Sequence, residues 1–405
     1  MQHLPGVARP WTLVAALSVG QLISWGSLYY SFSLFVAPME ADLGWSRADL
    51  NGALSVGLLV AGLFALPVGR LIDRRGAHIL MTLGSLAGGA LCLAWSQVDS
   101  IALFYLIWIG IGVVQAATLY EPAFAVITAN LGGRYRQGIT VLTLLGGLAS
   151  TVFIPLTQYL IESIGWREAL VVLAACNAVL CAGIHLVVLR GTRAQAPAGR
   201  APVKTTQRRD TPLRLALRNP AFWGIAAMVV TNALAFSALT FHIVPLLGER
   251  NVSMGTIIGI VAVIGPSQVA GRLVLLGFGA RIRAVSIGAV SVVCLPVAIL
   301  LLLILPSTPM SLVLYALIYG AGNGIMTIAR GTIVPEVLGP EGYATVNGAL
   351  ALPSLVAKAG APLGAAAIWS ATGSYDAVLW SLFVVAVCGA AIYFTGTRPL
   401  SRRAG

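Results

Sequence analysis

The chain has 405 residues, 58% of them hydrophobic and only 9% charged, with a formal net charge of +12. Soluble domains carry about 25% charged residues, so this composition excludes a string of ordinary water-soluble domains and leaves a membrane-embedded chain. The positive excess is not a nucleic-acid signal. Its basic residues fall between apolar runs instead of along one stripe, which is how membrane helices are oriented.

Taken in chain order, apolar runs of about 20 residues, each able to cross the hydrocarbon core, predict twelve all-α spans. They cover residues 11–38, 50–69, 79–97, 101–130, 138–160, 167–190, 220–247, 254–279, 284–305, 310–335, 344–370 and 376–396. The first run is too long for a signal-peptide core and lacks a clear cleavage site. Charge, Gly and Pro mark the breaks, as in "EADLGWSRAD" after the first span and "LPSTPM" after the ninth. Five cysteines (Cys92, Cys176, Cys181, Cys294, Cys388) all lie in apolar runs without a CxxC pair and read as small buried hydrophobes.

Arginine placement gives the orientation. One side holds Arg9; Arg70, Arg74 and Arg75; Arg134 and Arg136; the basic central loop; Arg281 and Arg283; and Arg398, Arg402 and Arg403. The other side holds Arg47, Arg167 and Arg250, with the acids Glu40, Asp42, Asp49, Asp99, Glu162, Glu168, Glu249 and Asp376. The arginine-rich side is expected to be cytoplasmic, with both termini inside. The polar, basic segment Arg190 to Pro220 reads as a cytoplasmic linker. The expected organisation is therefore a six-helix bundle over 1–190, a linker over 191–219 and a second six-helix bundle over 220–405. The halves echo one another: "GIGVVQAATLYEPAFA" from Gly110 aligns with "GAGNGIMTIARGTIVP" from Gly320 at an offset of 210, which also pairs Gly138 with Gly348. Repeated halves with a substrate site near the midplane are a common build for secondary transporters.

Between the second and third spans the chain reads "GRLIDRRGAH", Gly69 to His78. Gly69, Asp73, Arg74 and Gly76 fit the G-x-x-x-D-R/K-x-G-R/K-R/K pattern of the major facilitator superfamily, with Ala77 and His78 in the last two basic places. The chain resembles that family over its whole length. Physically, Gly69 permits close helix approach and Asp73 suits the positive N-terminal end of a helix or an arginine. The resemblance implies that this loop latches the outward-facing state on the cytoplasmic side. "GSLYYSFSLFVAPMEADLGWSR", Gly26 to Arg47, resembles the first span and loop of the monocarboxylate transporter and oxalate–formate antiporter branch. In that branch an arginine of span eight, and in some members a lysine of span eleven, bind substrate carboxylates; the positions here are Arg272 and Lys358. Gln268 stands where some relatives carry an acid, and span five lacks the G-x-x-x-G-P-x-x-G-G pattern of drug antiporters.

Depth supports attention to the same two cations. At about 1.5 Å per helical residue, Arg272 lies roughly 13 Å and Lys358 roughly 22 Å from the cytoplasmic end of its span. Each costs about 3 kcal/mol in hydrocarbon unless it meets a wet cavity or a counter-charge. Asn347, Ser354, Lys358 and Trp369 share one helical face. Tyr315, Tyr319, Asn323, Thr327 and Arg330 form a second polar stripe, and Gln21, Trp25 and Tyr29 a third; span seven adds Asn232 and His242, the latter read as structural. Aromatic rings with a few donors suit a small-anion pocket, and the substrate-binding set is Arg272, Lys358, Tyr29, Trp25, Asn323, Tyr319 and Asn347. Glu121, in "LYEPAFA", is an intramembrane carboxyl, open to two readings: a gate ion pair or a proton site. Arg330 lies at similar depth and shares that ambiguity. Gating or coupling is expected from Gly69, Asp73, Arg74, Gly76, Glu121 and Arg330.

These features predict a secondary active transporter of a small organic anion, a monocarboxylate, working by alternating access with proton coupling or anion exchange. The alternative is proton-coupled efflux of drugs or other hydrophobic compounds. The four histidines are scattered and unpaired with acids, and "GAGNG" at 320–324 sits inside a span with no strand before it, so neither an enzyme nor a nucleotide site is expected. No cofactor or metal, no nucleic-acid partner, a lipid surround, a monomer and a bacterial inner-membrane location complete the expectation.

Overall fold

The computed structural model describes residues 10–192, 211–278 and 282–401, and every regular element among them is helical. The greater part of the expected linker lies outside the described residues, as do Arg9, Arg281, Arg402 and Arg403.

In chain order the helices are α1 (Pro10–Leu43), α2 (Arg47–Arg75) and α3 (His78–Ser96). Then come α4 (Ile101–Thr118), α5 (Tyr120–Leu131), α6 (Tyr135–Gly146) and α7 (Ala149–Ile164). They are followed by α8 (Trp166–Val188), the short α9 (Pro212–Arg218) and α10 (Pro220–Glu249). The chain continues with α11 (Met254–Phe278), α12 (Ala284–Ile304), α13 (Pro309–Val337), α14 (Tyr343–Thr372) and α15 (Tyr375–Ser401). Eleven apolar stretches among the described residues are long enough to cross a bilayer, and one of them, Ile101–Ile164, runs for 64 residues. That is more than twice the roughly 20 residues one crossing needs.

Helix ends follow local chemistry. Ser46 caps α2 by accepting from the Asp49 N–H, and Thr308 with Ser311 forms a capping box at α13. Pro309 and Pro220 sit in first turns, where a missing N–H costs nothing. The expected fourth span is not one helix. Leu119 adopts an extended backbone (φ −79°, ψ −154°) that separates α4 from α5. The fifth is likewise split at Gly147 and Leu148.

The helices group into two compact units. The first draws on Met1–Arg209 and Pro340–Leu352, the second on Asp210–Gly339 and Pro353–Gly405. The first has an aromatic core of Phe32, Phe35, Trp95, Phe104 and Trp108, all nearly inaccessible. There α2 meets α4 through glycine: a Cβ on Gly112 would lie 2.2 Å from the Gly57 carbonyl oxygen. The second unit is packed with Leu246, Leu247, Ile299, Leu312 and Leu379, and α11 meets α13 where a Cβ on Gly324 would lie 2.2 Å from the Gln268 carbonyl oxygen. Small residues replace hydrophobic driving force as the means of helix association in lipid.

Candidate functional site

In the first unit, α1 widens into a π-turn at Gly26–Tyr30. Its cause is Ser31, whose N–H and Oγ–H both go back five residues to the Gly26 carbonyl, at 2.9 and 2.8 Å. Ser31 Oγ also lies 2.7 Å from Thr157 Oγ1 on α7. The wide turn brings aromatic rings together. Trp25 packs edge-on to Tyr29 at 5.3 Å, Tyr29 edge-on to Tyr30 at 5.1 Å, and Tyr120 of α5 lies 5.0 Å from Trp25. Tyr120 in turn stacks on Phe124. The Trp25 indole N–H is buried with no hydrogen-bond partner among the described residues. Trp25 and Tyr29 were legible as a stripe; Tyr30 and Tyr120 were not, because a straight 3.6-residue helix would send Tyr30 to another face.

Behind the rings, Gln21 meets the break after α4. Pro122 carries no N–H for the Thr118 carbonyl four residues earlier, and Gln21 Nε2 donates to that carbonyl at 2.7 Å. Glu121 therefore sits in the first turn of a new helix, half-buried. A carboxylate is stabilised there by the helix dipole.

The loop after α2 is built around Asp73. Its carboxylate accepts from the Ala344 N–H (3.2 Å), the Thr345 N–H (2.8 Å) and the Thr345 hydroxyl (2.6 Å), so it caps the start of α14. Gly69 is required by the same contact: a Cβ there would lie 2.2 Å from the Ala344 carbonyl oxygen. Gly76 ends α2 with φ 82°, and Arg74 is exposed in the last turn. These residues and Pro340–Leu352 belong to the same unit.

In the second unit Arg272 is 5% exposed, and its Nε has no hydrogen-bond partner. Among the described residues no ion pair involves it. One turn earlier on α11, Gln268 Oε1 accepts from Asn323 Nδ2 at 3.1 Å, which ties Asn323 to the face that carries Arg272. Tyr319 is buried; its hydroxyl donates to the Phe236 carbonyl at 3.3 Å, and its ring stacks between Phe236 and Tyr315. Lys358 is half-buried on α14, and Arg330 half-buried on α13. Asn347 is 3% exposed with its Nδ2 unpartnered, and it lies in the part of α14 that packs with the first unit. His242 is held at both ring nitrogens, 3.0 Å from the Tyr375 hydroxyl and 3.0 Å from the Pro362 carbonyl. The substrate-binding candidates thus fall into the aromatic pair Trp25 and Tyr29 on α1, the set Arg272, Asn323 and Tyr319 on α11 and α13 of the second unit, and Lys358 and Asn347 at separate places along α14.

The sequence pattern of the Major Facilitator Superfamily matches residues 17–362. A curated relative from Mycolicibacterium smegmatis, an MFS-type efflux pump, is 28% identical over 256 residues, 62% of this chain. The match spans 58% of that protein's own length. Among solved structures, the human organic anion transporter MFSD10 superimposes with TM-score 0.72 at 18% identity, over 95% of this chain and all of the other. FucP in its outward conformation superimposes with TM-score 0.70 at 12% identity, over 96% of this chain and 99% of the other. These likenesses show the fold.

Proposed function

The chain belongs to the Major Facilitator Superfamily, a family of multi-pass membrane transporters, and on that premise we propose that it moves a small organic anion, a monocarboxylate, by secondary active transport. Arg272 carries this reading. A guanidinium with 5% exposure and an unpartnered Nε, deep in a span, is short of an acceptor. A substrate carboxylate supplies one, with the short, two-pronged geometry that arginine favours. Lys358 adds a second cation from α14, and Asn323 an amide beside Gln268. Proton symport or anion exchange drives the cycle. Glu121, at the start of α5, serves as a gate ion-pair partner or a proton carrier, with Arg330 in the matching role. The Asp73 cap on α14, seated by Gly69 and bounded by Arg74 and Gly76, holds the cytoplasmic side closed. Counting Ile101–Ile164 as two crossings gives twelve spans. The reading includes two six-helix halves, 1–190 and 220–405, joined by a cytoplasmic linker, both termini inside, and a bacterial inner membrane.

A second reading is efflux of hydrophobic compounds. The efflux-pump relative and the Trp25, Tyr29, Tyr30 and Tyr120 rings favour it. Uptake of labelled lactate, pyruvate, oxalate and formate into proteoliposomes, with and without a pH gradient, separates the two. One of these anions is expected to accumulate, and both Arg272→Ala and Lys358→Ala to abolish it. Anion uptake that survives both substitutions overturns the reading, and export of a lipophilic cation establishes the second.

A further inference from the structure

Lys358 stands four residues before Pro362 in α14. In an unbroken helix the N–H of residue 362 would bond to the Lys358 carbonyl, and proline has none to give. The missing donor comes from another helix: Ser237 Oγ on α10 donates to the Lys358 carbonyl at 2.6 Å. Ser237 is 3% exposed, and the bond it makes to half-buried Lys358 is part-buried. Serine and threonine hydroxyls inside helices ordinarily return to a carbonyl three or four residues back in their own helix. Many here do, including Ser18 to Val14, Ser27 to Ile23 and Thr240 to Phe236. Ser237 is spent across the helix boundary instead. Five residues further along α10, His242 Nε2 takes the Pro362 carbonyl at 3.0 Å. The turn from Lys358 to Pro362 is thus held at both ends by one neighbouring helix.

We infer that Ser237 is a positioning residue for Lys358: by satisfying the carbonyl that Pro362 orphans, it fixes the turn that aims the ammonium. The consequence for substrate affinity rests on Lys358 being an anion contact, as proposed above; the positioning itself does not. An alanine at 237 leaves a part-buried carbonyl unpaired and the turn free to reorient. An alanine at 362 restores the ladder donor, and Ser237 is then no longer needed.

The chain's lysine content makes this measurable without any substrate, because Lys204 and Lys358 are its two lysines. The full-length protein in proteoliposomes is treated with a water-soluble amine-reactive ester, and modification at Lys358 is read by mass spectrometry relative to Lys204. Ser237→Ala is expected to raise the relative rate at Lys358 about fivefold, Ser237→Thr to restore it, and Ser237→Ala to have no effect when Pro362→Ala is present. For the transported anion, Ser237→Ala raises KM by a similar factor with a smaller change in kcat. An equal effect of Ser237→Ala in both backgrounds, or none in either, overturns the inference. If Ser237→Ala fails to reach the membrane, Ser237→Thr against Ser237→Val, alike in shape and different in the hydroxyl, carries the same test. A labelling change in a protein whose anion uptake ignores Lys358 keeps the positioning role and removes the anion reading. Uptake that needs Lys358 without a labelling change removes the positioning role alone.

Discussion

Pro122 and Pro362 each orphan a carbonyl that a side chain from another helix takes, and the chain resolves them differently. At Pro122 the orphaned Thr118 carbonyl is taken by Gln21, and Leu119 swings to an extended conformation that ends one helix and starts another. At Pro362 the orphaned Lys358 carbonyl is taken by Ser237, yet α14 runs on without interruption to Thr372. Each proline has an ionisable neighbour, Glu121 in the one case and Lys358 in the other. A broken helix gives its acid the fixed environment of a first turn. A continuous but under-bonded helix gives its lysine a turn whose direction depends on a neighbour. The lesson is that proline alone does not decide between a break and a hinge; the backbone angle of the residue before the new turn does.

The largest expected effect separates the two ionisable groups. Lys358→Ala should weaken apparent anion affinity by about 100-fold or more, the scale of losing a charge-assisted contact in a low-dielectric site. Glu121→Gln should leave affinity within a few-fold while slowing turnover; the KM and kcat of proteoliposome uptake check both. Next come the carbonyl caps. Gln21→Leu and Ser237→Ala should each lower stability by about 1–3 kcal/mol, the cost of an unsatisfied buried acceptor, read as a lower Tm in detergent. The comparison breaks in the double variants. Pro362→Ala should remove most of the cost at Ser237, because α14 is continuous and its ladder bond returns. Pro122→Ala should leave the cost at Gln21 intact, because the extended Leu119 keeps the new N–H from the Thr118 carbonyl. The smallest effect concerns Gly360, where an added Cβ meets nothing within 4 Å. Gly360→Ala should raise stability by up to about 1 kcal/mol through helix propensity, read as a slightly higher Tm. It should also reduce turnover if the hinge bends there.

Much of the fold was legible because bilayer thickness sets helix length and polar punctuation sets helix ends. The expected 284–305 is found as Ala284–Ile304, and 220–247 as Pro220–Glu249. The interruptions at Leu119 and Gly147 were not legible, nor were the wide turns at Gly26–Tyr30 and Cys176–Cys181. Bonds between residues distant in sequence meet some of them, Gln21 to Thr118 and Asn177 Nδ2 to Ser27 Oγ at 2.7 Å, while the Gly26–Tyr30 turn also needs the local return of Ser31 to Gly26. Membrane depth singled out Arg272 and Lys358 as groups needing an explanation, and the burial of Arg272 sharpens the need. Asn323 and Tyr319 were read as donors, and both spend a donor on a protein acceptor, Gln268 and the Phe236 carbonyl. Ser237 went unread, although a signal for it existed: Pro362, four residues after Lys358, leaves the Lys358 carbonyl open to a donor from another helix.

The wide turn at Gly26–Tyr30 acts on α1 as one extra residue inserted without lengthening the loop at either end. Each residue turns a regular helix by about 100°, so the insertion resets the phase between the two halves of α1. Before it, Leu13, Leu17 and Gln21 face inward; after it, Phe32, Phe35 and Met39 do. Removing one residue from this turn would return α1 to a regular pitch and rotate one half by that angle. Either Gln21 would leave Thr118 or Phe35 would leave the aromatic core. The turn is therefore a phase corrector. Single-residue deletions should be least tolerated within it, where Ser27 and Leu28 are each 1% exposed.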